Sequence, residues 1–259
     1  MNILDKIVAH KKEELILTKQ QKPVHQLIMK SVFLSPTVSL KNEILKANST
    51  GIIAEYKRKS PSKGVINKHS SVVDVVTAYQ TAGVAGCSVL TEENFFGGSK
   101  EDFIQASKAV TLPLLRKDFM IDEYQFVEAK SIGADVVLLI ASILSPPQVM
   151  AFTDLAKSLG MEVLLELHDE SELNHVYHKV DMVGINNRNL KTFEVDIEQS
   201  VRMAEKLGND FVKIAESGIS DIDTLKYFKQ NGFHGFLIGE NFMKTDNPGK
   251  ACSEFIQQL

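Results

Sequence analysis

Acidic, basic and amide side chains recur in this sequence at one kind of place, the end of a short apolar run. Ala54-Glu55-Tyr56-Lys57 closes the first such run and Arg116-Lys117-Asp118 the third. Glu166 follows Leu164-Leu165, Asn186 and Arg188 follow Gly184-Ile185, and Glu216 follows Ile214-Ala215. Lysines facing glutamates suit a particular task. They hold an anionic, oxygen-rich substrate and move protons to and from it. Period-two alternation puts Glu55 and Lys57 on one side of their run, and turns Arg116 and Asp118 away from Lys117. Asp118 is therefore read as an orienting group. His168, after Glu166, is read as a loop histidine with a structural hydrogen bond rather than a general base. The last two runs suggest anion binding. Ser217-Gly218 and Gly239-Glu240 put free backbone N–H groups close to a following helix, where a phosphate is favoured. The Glu240 carboxylate must then point away. The alternative is that Gly218 and Gly239 only serve tight turns.

Such residues need a scaffold that brings distant strand ends together. Eight apolar runs are candidate strands, at residues 51–55, 87–90, 113–116, 135–140, 161–166, 182–186, 211–215 and 235–239. Several are almost continuously apolar, as in Val136-Val-Leu-Leu-Ile140, the pattern of strands buried on both faces of a parallel sheet. After each run comes a helix-start signal: Ser71, Ser99, Asp122, Ser145 before Pro146, Asp169, Asp196, Ser220 and Asn247 before Pro248. A strand–helix unit repeated eight times predicts an α/β fold, a (β/α)8 barrel, whose working face is the C-terminal end of its strands. A doubly wound open sheet is the alternative, but no G-x-G-x-x-G opens the first helix. Residues 1–48 precede the first strand. Helical patterns around residues 3–17 and 24–29 make them an N-terminal helical extension of a single domain spanning 1–259.

Composition narrows the function further. The 259 residues are 44% hydrophobic and 24% charged, with a net charge of −4. This is ordinary globular composition without the basic excess of a general nucleic-acid binder. No apolar run approaches the length needed to span a bilayer, so no membrane partner is expected. The N-terminus has no apolar segment typical of a secretory signal, and the expected location is the cytoplasm. Cys87 and Cys252 have no metal-ligand spacing and are read as buried thiols.

In order along the chain, the strand ends resemble the indole-3-glycerol phosphate synthase family of tryptophan biosynthesis. The residues that carry the resemblance are Glu55-Tyr-Lys57-Arg-Lys-Ser60-Pro-Ser-Lys-Gly64, Leu90-Thr-Glu92 through Phe95-Phe96-Gly-Gly-Ser99, and Leu115-Arg-Lys117-Asp-Phe119. They continue with Leu164-Leu-Glu166-Leu-His-Asp169, Gly184-Ile-Asn186-Asn-Arg188-Asn-Leu190 and Ala215-Glu216-Ser217-Gly218. Lys59 stands where the family usually has a small residue. The resemblance implies a carboxy-lyase that acts on 1-(2-carboxyphenylamino)-1-deoxyribulose 5-phosphate, with no cofactor and no metal. It implies Lys117 as general acid toward the ketone oxygen, Glu166 as its acid/base partner, and Lys57 as a substrate-binding and proton-transferring cation. Glu55, Asn186 and Glu216 would orient these groups, and Arg188 would support that network. Ser60, Ser217, Gly218, Gly239 and Glu240 fall at phosphate positions, the last two by backbone. Phe96, Phe119 and Leu190 would form the slot for the aromatic ring. The partners implied are the small-molecule substrate and other enzymes of tryptophan biosynthesis. A lysine partly desolvated beside another has its pKa lowered, while a glutamate facing the lysines has the opposite tendency, so the sequence leaves the pKa order open.

Overall fold

The computed structural model describes residues 3–188 and 194–259. Among them the apolar runs form eight parallel strands: β1 (Ile52–Tyr56), β2 (Gly86–Leu90), β3 (Leu114–Lys117), β4 (Val136–Ile140), β5 (Glu162–Leu167), β6 (Met182–Asn186), β7 (Val212–Glu216) and β8 (Gly235–Ile238). Each pairs with the next, and β8 pairs back onto β1 through Ile52–Phe236, Ile53–Leu237 and Ala54–Ile238, which closes the barrel.

Alternation along the strands divides the core in two. Ile53, Leu115, Leu138, Leu164, Ile214 and Leu237 belong to one apolar cluster, the barrel interior. Ile52, Ala54, Leu114, Val137, Leu139, Val163 and Leu165 belong to another, which they share with helical residues such as Phe103, Phe126, Phe152 and Phe228. The interior column continues upward two residues at a time: Ile53 to Glu55 and Lys57, Leu115 to Lys117, Leu164 to Glu166, Ile214 to Glu216. The pleat alone therefore aims these polar side chains over one mouth.

Helices cover the outer faces: α4 (Val72–Ala82), α5 (Lys100–Ala109), α6 (Tyr124–Ser131), α7 (Pro146–Ser158), α8 (Ile197–Lys206), α9 (Ile222–Gln230), the short α10 (Glu240–Met243) and α11 (Pro248–Ile256). Most of the expected starts act as caps. Ser71 accepts from the Asp74 N–H, Ser99 from Glu101 and Asp102, Asp196 from Gln199, and Asn247 from Lys250. Two differ. Asp221, not Ser220, caps α9, because its carboxylate reaches the Thr224 N–H at 2.8 Å. Asp169 opens no α-helix but a 3-10 helix over Glu170–His175.

The N-terminal extension holds α1 (Ile3–Gln21) and α2 (Val24–Ile28), as expected, and also α3 (Leu40–Leu45), which sequence periodicity did not reveal. It reaches both ends of the barrel. At the bottom, Leu40 and Ile44 plug the interior against Gly86 and Gly235, where an added Cβ would meet them. The Glu162 carboxylate, at the foot of β5, accepts from Ser39 and from the Lys41 N–H, the latter at 3.0 Å. At the top, Ile7 joins the interior cluster, with Ile3 and Leu4 packed beside it. Among the described residues no helix is long and apolar enough to cross a membrane.

Candidate active site

The strand-end side chains converge on Lys117. Its ammonium donates to Glu166 Oε2 at 2.9 Å and to Glu216 Oε2 at 2.6 Å. The other Glu166 oxygen accepts from Asn186 Nδ2 at 3.0 Å and lies 3.0 Å from His168 Nε2. Glu216 Oε1 is buried and has no hydrogen-bond partner among the described residues. It sits directly over Gly184, where any side chain would overlap it. Lys57 pairs with Glu55 at 2.6 Å rather than with the Lys117 group. Gly239 makes room for Glu55, since a Cβ there would stand 2.6 Å from Glu55 Oε1.

This geometry decides between the two tendencies expected for the Lys117 pKa. Burial does act to lower it, but Glu166, Glu216 and Glu55 outweigh burial and drive it upward, so the ammonium is fully protonated. The two carboxylates on it differ. Burial acts to raise Glu166, but Lys117, His168 and Asn186 hold it well below the ordinary carboxylate range. Burial raises Glu216 to about 8, with Lys117 opposing and Glu166 adding to the rise. His168 is pushed up to about 10, because Glu166 and Glu172 overcome its burial.

Two flanks complete the cavity, which has a volume of about 320 Å³, within the range of small-molecule sites. One flank is apolar. Phe96 and Phe119 stack at 5.9 Å between ring centroids, and Ile3, Leu4 and Ile7 of α1 close over the same space. Leu190, expected on this wall, lies outside the described residues. The other flank holds Ser60, Ser217, Gly218, Gly239 and Glu240. Ser217 and Gly218 both have positive φ, 67° and 74°, the second needing glycine's freedom and the first strained for a serine. The Ser217 carbonyl is taken by Asn187 Nδ2 at 2.6 Å. α10 begins at Glu240, and the Glu240 carboxylate turns to Arg188 at 3.5 Å and Lys63 at 3.7 Å. The Arg188 guanidinium thus stands at this polar flank, while only its backbone N–H reaches Asn186, at 3.1 Å.

Three contributions go beyond the sequence reading, which took His168 only as a loop histidine with a structural hydrogen bond, here to Ser142 at 3.0 Å. His168 touches Glu166, which alternation from Glu166 could have signalled. The α1 residues over the cavity had no local signal. Neither had Lys11 of α1, buried to 1% exposure, which pairs with Asp118 at 3.1 Å on the side of β3 opposite Lys117. Asp118 is, as expected, turned away from Lys117 and held by Arg116 and Thr91.

Comparison with known proteins adds an independent line. A sequence model of the family described as indole-3-glycerol phosphate synthase matches residues 4–255. The indole-3-glycerol phosphate synthase of Bacteroides thetaiotaomicron is 45% identical over 258 residues, covering 100% of this chain and 99% of that protein. That of Caldanaerobacter subterraneus subsp. tengcongensis is 43% identical, covering 99% and 98%. Among solved structures, tryptophan synthase subunit alpha from Legionella pneumophila superposes with a TM-score of 0.61 at 10% identity, covering 84% of this chain and 95% of that one. Thiamine phosphate pyrophosphorylase from Pyrococcus furiosus does so with a TM-score of 0.60 at 12% identity, covering 85% and 98%. At such identities the structural likeness concerns the barrel alone. Matched along nearly its whole length by the family's sequence model and by two full-length relatives, the chain belongs to the indole-3-glycerol phosphate synthase family.

Proposed function

We propose that the family's ring closure takes place at Lys117. The substrate is 1-(2-carboxyphenylamino)-1-deoxyribulose 5-phosphate. Its ring carbon bearing the carboxylate attacks the ketose carbonyl carbon, and carbon dioxide and water then leave to give indole-3-glycerol phosphate. Attack interrupts the aromatic ring and builds negative charge on the ketone oxygen. A fully protonated ammonium at that oxygen stabilises the charge and supplies the proton. Glu166, ionised beside it, takes and returns protons in the later steps. Glu55 and Lys57 form a second acid/base pair toward the substrate, and Asn186 and Glu216 orient Glu166 and Lys117. The aromatic ring lies against Phe96 and Phe119. The phosphate lies at Ser60, Ser217, Gly218 and the start of α10, with Gly239 and Glu240 contributing backbone and Arg188 nearby.

The observation that carries this reading is Lys117 Nζ between two carboxylates, with an apolar wall on one flank and Ser60, Ser217, Gly218, Gly239 and Glu240 on the other. Loss of carbon dioxide needs only the electron sink that ring closure creates, so the chemistry requires no cofactor. We read residues 1–259 as one domain because α1 and α3 of residues 1–48 share the barrel's interior cluster. We place the chain in the cytoplasm, with this substrate and other enzymes of tryptophan biosynthesis as its partners. The test is to mix the protein with the carboxyphenylamino deoxyribulose phosphate and follow indole fluorescence. Fluorescence that develops as well with Lys117→Met as with the native chain overturns the assignment.

A further inference from the structure

His168 leaves β5 two residues after Glu166, so the pleat turns both side chains the same way. The helix expected after this strand is replaced by the 3-10 helix Glu170–His175, and that tighter path brings Glu172 back under the imidazole. The Glu172 carboxylate accepts from the His168 N–H at 2.6 Å and from Ser142 Oγ at 2.5 Å. Ser142 Oγ in turn meets His168 Nδ1 at 3.0 Å, and Glu172 Oε2 lies 3.8 Å from the same nitrogen. Gln199 of α8 donates to the His168 carbonyl at 3.2 Å. The backbone is held by α8 and the ring by Ser142 and Glu172, and the remaining ring nitrogen, Nε2, makes no hydrogen bond among the described residues but lies at ion-pair distance, 3.0 Å, from Glu166 Oε1.

The two carboxylates that share Lys117 are thus served unequally. Glu166 faces Lys117 from β3, Asn186 from β6 and His168. Glu216 faces Lys117 and the like charge of Glu166, and among the described residues its second oxygen has no hydrogen-bond partner. The remaining charges at the mouth, Glu55 and Lys57 of β1, pair with each other. Two buried carboxylates on one cation do not ionise alike, and the one with more donors keeps the charge.

We propose that His168, docked by Ser142 and Glu172, is a positioning residue that makes Glu166 rather than Glu216 the ionised partner of Lys117. The directions of the titrations agree with this, Glu166 being driven down and Glu216 up. The inference rests on the proposed acid/base role of Glu166, and the test separates the two.

Rates are measured from pH 3 to 9 for the native chain, His168→Ala, His168→Gln and Glu166→Gln, with melting temperatures for each. Without the imidazolium, the acid limb of kcat moves up by about one pH unit, so activity on that limb falls about tenfold while KM changes little. His168→Gln restores a donor without a charge. It regains part of kcat above the limb but keeps the limb displaced, a result that a merely structural role for the ring does not give. If His168→Ala fails to fold, His168→Gln carries the test alone. A native acid limb in a folded His168 variant overturns the inference and leaves the role of Glu166 standing. Native turnover in Glu166→Gln overturns both.

Discussion

Arg116 and Lys117 are neighbours in sequence, each is a cation held by two carboxylates, and they do opposite things. Arg116 faces outward from β3. It bonds Asp118 at 3.1 Å, Glu128 at 2.7 Å, Thr91 at 3.1 Å and the Gln125 carbonyl at 3.2 Å. Lys11 closes the far side of Asp118, and Lys100 that of Glu128 at 2.9 Å. Lys117 faces inward, to Glu166 and Glu216, with 15% of its side chain exposed to the cavity against 1% for Arg116. The outer network is closed: Glu14, at 2.7 Å from Lys11 and 3.6 Å from Lys100, is the third acid against its three bases. The inner one keeps an orphan oxygen on Glu216 and an opening for a ligand. Charge density does not distinguish the two clusters. Unused hydrogen-bonding capacity facing open space does, and only that can be spent on a transition state.

Four experiments break or sharpen this contrast. Lys117→Met should have the largest effect, a loss of ~10² to 10⁴-fold in kcat, with substrate still bound. A variant that keeps half the native kcat would make the inner network as inert as the outer. Arg116→Met should do the reverse. It strands Asp118 and Glu128 in the interior and destabilises the fold by about 3 kcal/mol, while the folded fraction turns over normally. Denaturant unfolding and single-turnover rates measure the two effects separately, and a native unfolding midpoint would refute the structural assignment. Ser217→Asp tests the open end of the cavity. Aspartate tolerates the positive φ, so the change adds charge without unfolding the turn. Free phosphate and substrate should both weaken by about tenfold, ~1.4 kcal/mol of repulsion between partly solvated charges, with KM rising more than kcat falls. Unchanged phosphate affinity by calorimetry would move the phosphate elsewhere.

The smallest effect is one of sign. Burial acts to raise Asp118, but Lys11 and Arg116 hold it well below its ordinary 3.8. The unfolded chain binds that proton first, so the outer network contributes stability above about pH 3.8 and loses it in stronger acid. Glu216 is raised from 4.5 to about 8. Between those values the folded chain holds a proton that the unfolded chain has released, so stability falls as pH rises through that window. Asp118→Asn should flatten the acid slope and Glu216→Gln the neutral one. Identical slopes in the two variants would mean that the clusters titrate alike.

The barrel was legible because its signals are local. Eight apolar runs and their caps need only neighbouring residues to be read, and the pleat then puts Glu55, Lys57, Lys117, Glu166 and Glu216 on one side. What was not legible depends on strands meeting. A neighbouring lysine and a facing glutamate pull the Lys117 pKa in opposite directions, and sequence does not choose between them: Glu55 captures Lys57, and only the closed ring brings Glu166 and Glu216 to Lys117. The Arg188 guanidinium goes to Glu240, some fifty positions away. α3 is a short helix stabilised by the hole it fills. The shift of the α9 cap from Ser220 to Asp221 is a competition between two adjacent side chains for the same N–H groups, which sequence spacing does not decide.

The seam between β1 and β8 has a consequence for how the chain is made. Ile52 pairs with Phe236, a separation of 184 residues (236 − 52), so the ring closes through one of its least local contacts. A ribosome delivers β1 long before β8. Throughout that interval the nascent sheet has two unpaired borders, and the Gly235 surface against which Ile44 rests does not yet exist. Loop-closure entropy delays such a contact further. The N-terminal segment is synthesised first and must be among the last to settle. A polypeptide halted before residue 235 is left with the exposed sheet edges that native barrels abolish, and those edges are templates for aggregation.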